Sequence, residues 1–272
     1  MVAQPISNPN STSNSHTDEE DDLLKLVPTP EEIAREYPPR WTWLQVKQFV
    51  ASGELGLLKR DARLQVRCDA WYDLVRARHG SLTTYLVDVR LGWSAPLPEE
   101  QQTGMKRFTA QSGREAWKIL RNDWPYSVPH DIVHSLIWTR LPLLPPTPTP
   151  SPSPSSTPSA SSDSDPYARI AECGLWGFTG GAEHALIHAP PLDAPTQARV
   201  DARIGTGPEA AAVRAAVAHA GREVAQFVRC HWPEDEWETA WFVNPPRLQS
   251  IPGLAHAHVF AQPKTPTASI RP

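Results

Sequence analysis

From residue 29 to about 95 the apolar residues recur every three or four positions, the spacing of an amphipathic helix. Trp43, Val46, Phe49 and Val50 share one face of a segment that Thr42 and Gln45 open as a capping box and Gly53 stops. Leu64, Cys68, Trp71 and Val75 mark a longer helix over about 61–79, with Gly80 as its stop. Leu82, Tyr85, Leu86 and Val89 mark a fourth over about 82–91, ended by Gly92. Ahead of these, Thr29, Pro30 and Glu32 form a further start signal, and that helix must end before Pro38 and Pro39. The pattern predicts a helical unit over residues 29–95.

The period then shortens. "AWKIL" (116–120) and "DIVHSLIWTRL" (131–141) are β-rich runs joined by the turn-forming "RNDWPYSVPH", so a hairpin or strand–loop–strand is expected. Residues 167–207 carry a weak pattern, and "GLWGFTGG" within them reads as an aromatic loop. Residues 206–232 predict one long helix: Thr206 and Glu209 cap it, Pro208 opens it, and Pro233 ends it. Val213, Val217, Ala220, Val224, Phe227 and Val228 form its buried face. "ETAWFVN" (238–244) and "LAHAHVFA" (254–261) read as strands. The order predicts an α+β fold, in which an N-terminal helical unit packs on an antiparallel sheet crossed by one long helix.

Composition divides the 272 residues further. Residues 1–28 are rich in Ser, Asn, Thr and Pro and carry the acidic run Asp18–Asp22, which predicts a disordered acidic leader. Residues 142–166 are almost wholly Pro, Ser and Thr, a disordered insertion that reads as loop expansion or as a docking segment. Between lie the first strands (96–141) and the rest of the same sheet (167–262), with a disordered tail at 263–272. The 11 tryptophans call for a substantial core or an aromatic-lined groove. A net charge of −4 argues against a nucleic-acid partner. No apolar run is long enough to span a membrane, and residues 1–28 lack the features of a signal peptide. Cys68, Cys173 and Cys230 suit a reducing compartment, so a cytoplasmic protein is expected.

On a strand, residues two apart share a face, so His256 and His258 project together. They suit a nucleophile with a polar partner, two ligands of one metal, or two hydrogen-bonded side chains in a groove. Asn122 and Asp123 open the turn after the first strand, Tyr126 shapes it, and His134 lies in the next strand. A metal would need a third or fourth ligand from His134, Asp123, His130, Cys230 or His231, and their spacing is not that of a zinc site. No metal and no cofactor are expected.

"TWLQVKQFVASGELGLLKR", "YLVDVRLGW", "KILRNDWPY", "IVHSLIWTR" and "WFVNPPRLQSIPGLAHAHVF" resemble the fungal N-acetylglucosamine-induced protein 1 family, a domain of unknown function. That resemblance implies a cytoplasmic protein and supplies no reaction. "NDWPY", His134, Asn244, Gln249–Ser250 and "HAHVF" are also similar in outline to the histidine-triad nucleotide hydrolases and transferases. This second resemblance implies a histidine-triad-like sheet and attack by a histidine on an α-phosphate. In one alignment His256 is the nucleophile, His258 its partner, and Leu254 takes the first histidine's place. In the other, Phe260 takes the third. "IPGLA" lengthens the gap between Gln249 and the histidines.

Three readings follow, and they leave open whether the protein is an enzyme. The first is binding or hydrolysis of a phosphorylated small molecule, such as a nucleotide or nucleotide-sugar. Its catalytic residues would be His256 and His258, its ligand-binding residues Asn122, Asp123, Tyr126, His134, Asn244, Gln249 and Ser250. The others are a non-enzymatic regulatory or interaction protein of the amino-sugar response, and a metal-dependent hydrolase. The first requires His134, His256 and His258 to meet near Asn122 and Asn244.

Overall fold

The computed structural model describes residues 23–95, 107–145, 166–251 and 253–264. The leader up to residue 22, residues 146–165 of the Pro/Ser insertion and the tail beyond 264 lie outside the described residues. The fold is α+β: a five-stranded antiparallel sheet with helices on both faces.

The helical unit forms where its caps and apolar stripes place it. Pro30–Glu36 starts at Thr29, whose hydroxyl accepts from the Glu32 N–H at 3.2 Å. Trp43–Ser52 starts at Thr42 with a complete capping box and ends at Gly53 in the left-handed conformation (φ 68°). Ala62–His79 is capped by Asp61 and buries Leu64, Cys68, Trp71 and Val75. Two details differ from expectation. The fourth helix is a single turn, Leu82–Thr84, that continues as a π-helix, Tyr85–Arg90, before Gly92. Ordered structure also begins upstream of Thr29, because Leu23 is wholly buried and its carbonyl accepts from the Trp71 indole N–H at 2.9 Å.

The strands are β1 (Trp117–Arg121), β2 (Val133–Thr139), β3 (Leu175–Thr179), β4 (Trp237–Val243) and β5 (Ala255–Pro263), in the order β1-β2-β5-β4-β3. β3 corrects the expectation of a loop at "GLWGFTGG". Glycine masks its strand pattern for a packing reason: a Cβ at Gly177 would stand 2.5 Å from the Trp241 ring across the β3–β4 pair. Two helices that the weak pattern of 167–207 hid, Pro166–Cys173 and Ala194–Ile204, flank this strand.

The long helix, Gly207–His231, buries Val213, Val217, Val224, Phe227 and Val228. It covers the sheet face of Trp117 and Trp241: Phe227 meets Trp117 edge-on at 4.7 Å between ring centroids, and Gly221 lies against Trp241. Thr206 stands at its N-cap without a side-chain cap hydrogen bond, and Glu209 accepts instead from Arg169 at 3.0 Å. The capping expected of that pair is therefore not made.

Register decides the opposite face. His134 pairs with Phe260, Leu136 with His258, and Trp138 with His256 along β2–β5, while Phe242 pairs with His258 along β4–β5. Alternation puts all of these on one face. The helical unit packs there: Trp138 joins Trp71, Leu82, Leu86, Trp124 and Ile251 in one apolar cluster.

Candidate functional site

β5 places His256, His258 and Phe260 on the face that the helical unit covers, and β2 brings His134 beside them. His134 Nε2 lies 3.0 Å from His258 Nδ1. Phe242 stacks on the His258 ring at 4.5 Å and 6°, and Trp138 packs on His256 at 4.6 Å. All three histidines are buried, each no more than 5% exposed.

The hydrogen bonds assign the protons. The Tyr126 backbone N–H donates to His134 Nδ1 at 3.3 Å, so the His134 proton sits on Nε2 and donates to His258 Nδ1. The His258 proton is then on Nε2, beside the Asn244 side-chain amide at 3.4 Å, which meets it as an acceptor when its oxygen faces the ring. His256 is separate from this relay. Its Nδ1–H donates to the Leu254 carbonyl at 3.0 Å, which leaves the lone pair on Nε2.

Burial pushes all three histidines below the ordinary imidazole pKa. The Arg60 charge adds to this at His134 and His258, and the Leu254 carbonyl partly opposes it at His256. A neutral imidazole with a free Nε2 can act as a nucleophile, a base or a hydrogen-bond acceptor.

His256 and His258 line a cavity of about 510 Å³ between the sheet and the helical unit, within the size range of small-molecule sites. Asn122, Asp123, Tyr126 and Ser250 line it too. His134 touches His258 but lines a neighbouring cavity of about 180 Å³, which shares Asn122, Asp123 and Tyr126 with the first. Asn122 Oδ1 accepts from the Trp124 N–H at 3.0 Å, and Asn122 Nδ2 lies 3.4 Å from both His134 ring nitrogens. Tyr126 stacks on His258 at 5.4 Å, and burial pushes its phenol pKa up. Asp123, raised by burial and lowered less by Arg90, pairs with that arginine at 2.6 Å. Gln249 is a step removed, donating to the Asn244 carbonyl at 3.2 Å.

Of the metal candidates, His130 and Cys230 are exposed, and His231 points its Nδ1 at the Phe227 carbonyl at 2.9 Å. Among the described residues no three His, Cys, Asp or Glu side chains gather as a metal-binding group.

Sequence reasoning missed the cationic side of the cavity. Arg40, Lys59, Arg60, Arg90 and Arg121 line it, four of the five from the helical unit. The signal was the pair Lys59–Arg60 just ahead of the Asp61 cap, which reads as surface until the β1–β2 connection docks on it. The Ser127 N–H donates to the Lys59 carbonyl at 2.9 Å, and Arg60 Nε to the Trp124 carbonyl at 2.8 Å.

Residues 42–159 match the family described as "Protein of unknown function (DUF3605)". The chain is similar to "Uncharacterized protein YPL067C" of Saccharomyces cerevisiae, 25% identical over 219 residues that cover 80% of this chain and 77% of that protein. A solved structure titled "Crystal Structure of HTC1" aligns with a TM-score of 0.41 and 23% identity, over 81% of this chain and 84% of that one. No described helix is long and apolar enough to cross a membrane. The matched family is one of unknown function, and the yeast relative is uncharacterised.

Proposed function

We propose that the protein binds a phosphorylated small molecule, such as a nucleotide or nucleotide-sugar, in the cavity lined by His256 and His258. The supporting observation is the state of His256: buried, neutral, tied at Nδ1 to the Leu254 carbonyl, and on the wall of a cavity whose lining carries more cationic than anionic side chains. The phosphorus would face the His256 Nε2 lone pair, with the phosphoryl oxygens turned to the cationic side chains of the lining. His258 and His134, linked through Nδ1 and Nε2 and engaged by Asn244 and the Tyr126 N–H, would hold the wall beside the phosphoryl group in place.

The same arrangement suits hydrolysis. The Nε2 lone pair would attack phosphorus, the bond to the leaving oxygen would break with its electron pair, and water would then cleave the phosphorus–nitrogen bond. Leu254, in the place of a proton donor, favours a leaving group that departs as a stable anion, as the phosphate of an anhydride does. The resemblance to the N-acetylglucosamine-induced family makes amino-sugar phosphates natural members of any ligand panel.

A thermal-shift panel of nucleotides, nucleotide-sugars and amino-sugar phosphates tests the reading. A ligand at a hundred times its Kd adds about 2.7 kcal/mol, a rise of several degrees in Tm for a chain of this size. His256→Ala should abolish the shift. No response to any phosphorylated compound, or an undiminished one in His256→Ala, would overturn the proposal.

A further inference from the structure

Among the cations of the cavity, Arg60 differs from the rest. Arg90 is neutralised by Asp123, while Arg40, Lys59 and Arg121 are exposed. Arg60 is half-buried, and among the described residues no carboxylate pairs with it. Its guanidinium is held by neutral acceptors: Nε donates to the Trp124 carbonyl at 2.8 Å and Nη1 to Gln65 Oε1 at 3.1 Å. A fixed, part-buried cation without a counter-ion is a place for an anion.

The rest of the cavity has a different character. Trp71, Leu82, Leu86, Leu120, Trp138 and Ile251 line it. Several of the polar groups among them are already engaged. Gln65 accepts from Arg60 and donates to Asp69 at 2.8 Å, and Asn122 is held between Trp124 and His134. A sugar ring laid on such a wall gives up water at each hydroxyl for few partners, at roughly tenfold in affinity apiece. A flat apolar ring gains from the same wall by burial and stacking.

We propose that the ligand is a phosphate carried by a flat, largely apolar body: the phosphate between Arg60 and His256, the body on the wall of Trp71, Leu86 and Trp138. This rests on the phosphate-binding reading above and narrows its ligand class away from sugar phosphates. It also makes the helical unit part of the site, since the sheet supplies neutral histidines and the helical unit supplies the charge.

Calorimetry with 1-naphthyl phosphate, 1-naphthol and glucosamine 6-phosphate separates the parts. The expected result is that naphthyl phosphate binds at least tenfold tighter than either of the others. Arg60→Gln should weaken naphthyl phosphate about tenfold or more and leave naphthol unchanged, with Arg60→Lys in between. Unliganded melts of the variants serve as the folding control. Glucosamine 6-phosphate binding as tightly as naphthyl phosphate overturns this inference and leaves the phosphate reading standing. Naphthol binding as tightly as its phosphate overturns both, whereas binding of none of the three overturns this inference and leaves the phosphate reading to the nucleotide panel. An Arg60→Gln variant that folds and binds naphthyl phosphate normally removes Arg60 from the site.

Discussion

His134, His256 and His258 carry a cost that appears only in the folded chain. Each is held below the ordinary pKa of about 6.5 by burial, whereas in the unfolded chain each titrates near that value. With folded pKa values depressed, the unfolded state binds more protons once pH drops below about 6.5. The neutral histidines' share of stability is whole above that pH and is lost as pH falls through the window toward their folded values. Thermal melts from pH 7.5 to 5.0 should show Tm falling with acidification. His134→Phe, beside Phe260, removes one of the three titrations and should flatten that slope. Parallel slopes for the two proteins would mean that His134 does not titrate on unfolding. At this scale the sequence marked His256, His258 and His134 as candidates, because polar residues inside apolar strands are conspicuous; Asn122 was marked by its turn and Asn244 by the histidine-triad resemblance. Arg60 was not legible, because a basic residue before a helix cap looks the same whether it faces solvent or a cavity.

At the scale of elements, capping chemistry and period identified the main helices and four of the five strands. β3 escaped because its signal is spread between two strands. Gly177 weakens the run "LWGFT", and the reason for that glycine is the Trp241 ring on β4. Gly177→Ala should therefore cost about 1–3 kcal/mol, the penalty of overpacking a filled site, read as a lower urea midpoint with an unchanged m-value. A variant as stable as the parent would show that the β3–β4 pair yields to admit the methyl. The π-helix at Tyr85–Arg90 was equally illegible, since "YLVDVR" has an ordinary helical pattern. What re-spaces it is packing: Tyr85 meets the Trp71 ring at 5.5 Å, and the Trp93 N–H reaches back to the Val87 carbonyl at 2.7 Å.

In the whole molecule, the helical unit and the sheet are joined by polar as well as apolar contacts. Lys47, only 4% exposed on the helix Trp43–Ser52, pairs with Glu238 on β4 at 3.4 Å and lies 5.2 Å over the Trp43 ring. Removing the anion strands a buried ammonium, whereas removing the ammonium leaves a carboxylate that water still reaches. Glu238→Gln should thus destabilise by about 1–3 kcal/mol and Lys47→Met by less than Glu238→Gln, compared by denaturant melts. The reverse order would mean that packing, not charge, secures this contact. Glu54 and Arg203 make a second such joint, between the helical unit and the helix Ala194–Ile204.

The sequence by itself determined the α+β class, the long helix, the helical unit and the shared face of His256 and His258. These depend on local signals: a cap acts within a turn, and strand alternation has a period of two. The tertiary structure alone decided that His134 meets His258, that His256 keeps a free nitrogen because the Leu254 carbonyl takes the other, and that Arg60 faces the same cavity. Each of these depends on strand register and on how the helical unit docks. Both are set by packing between residues that lie far apart along the chain.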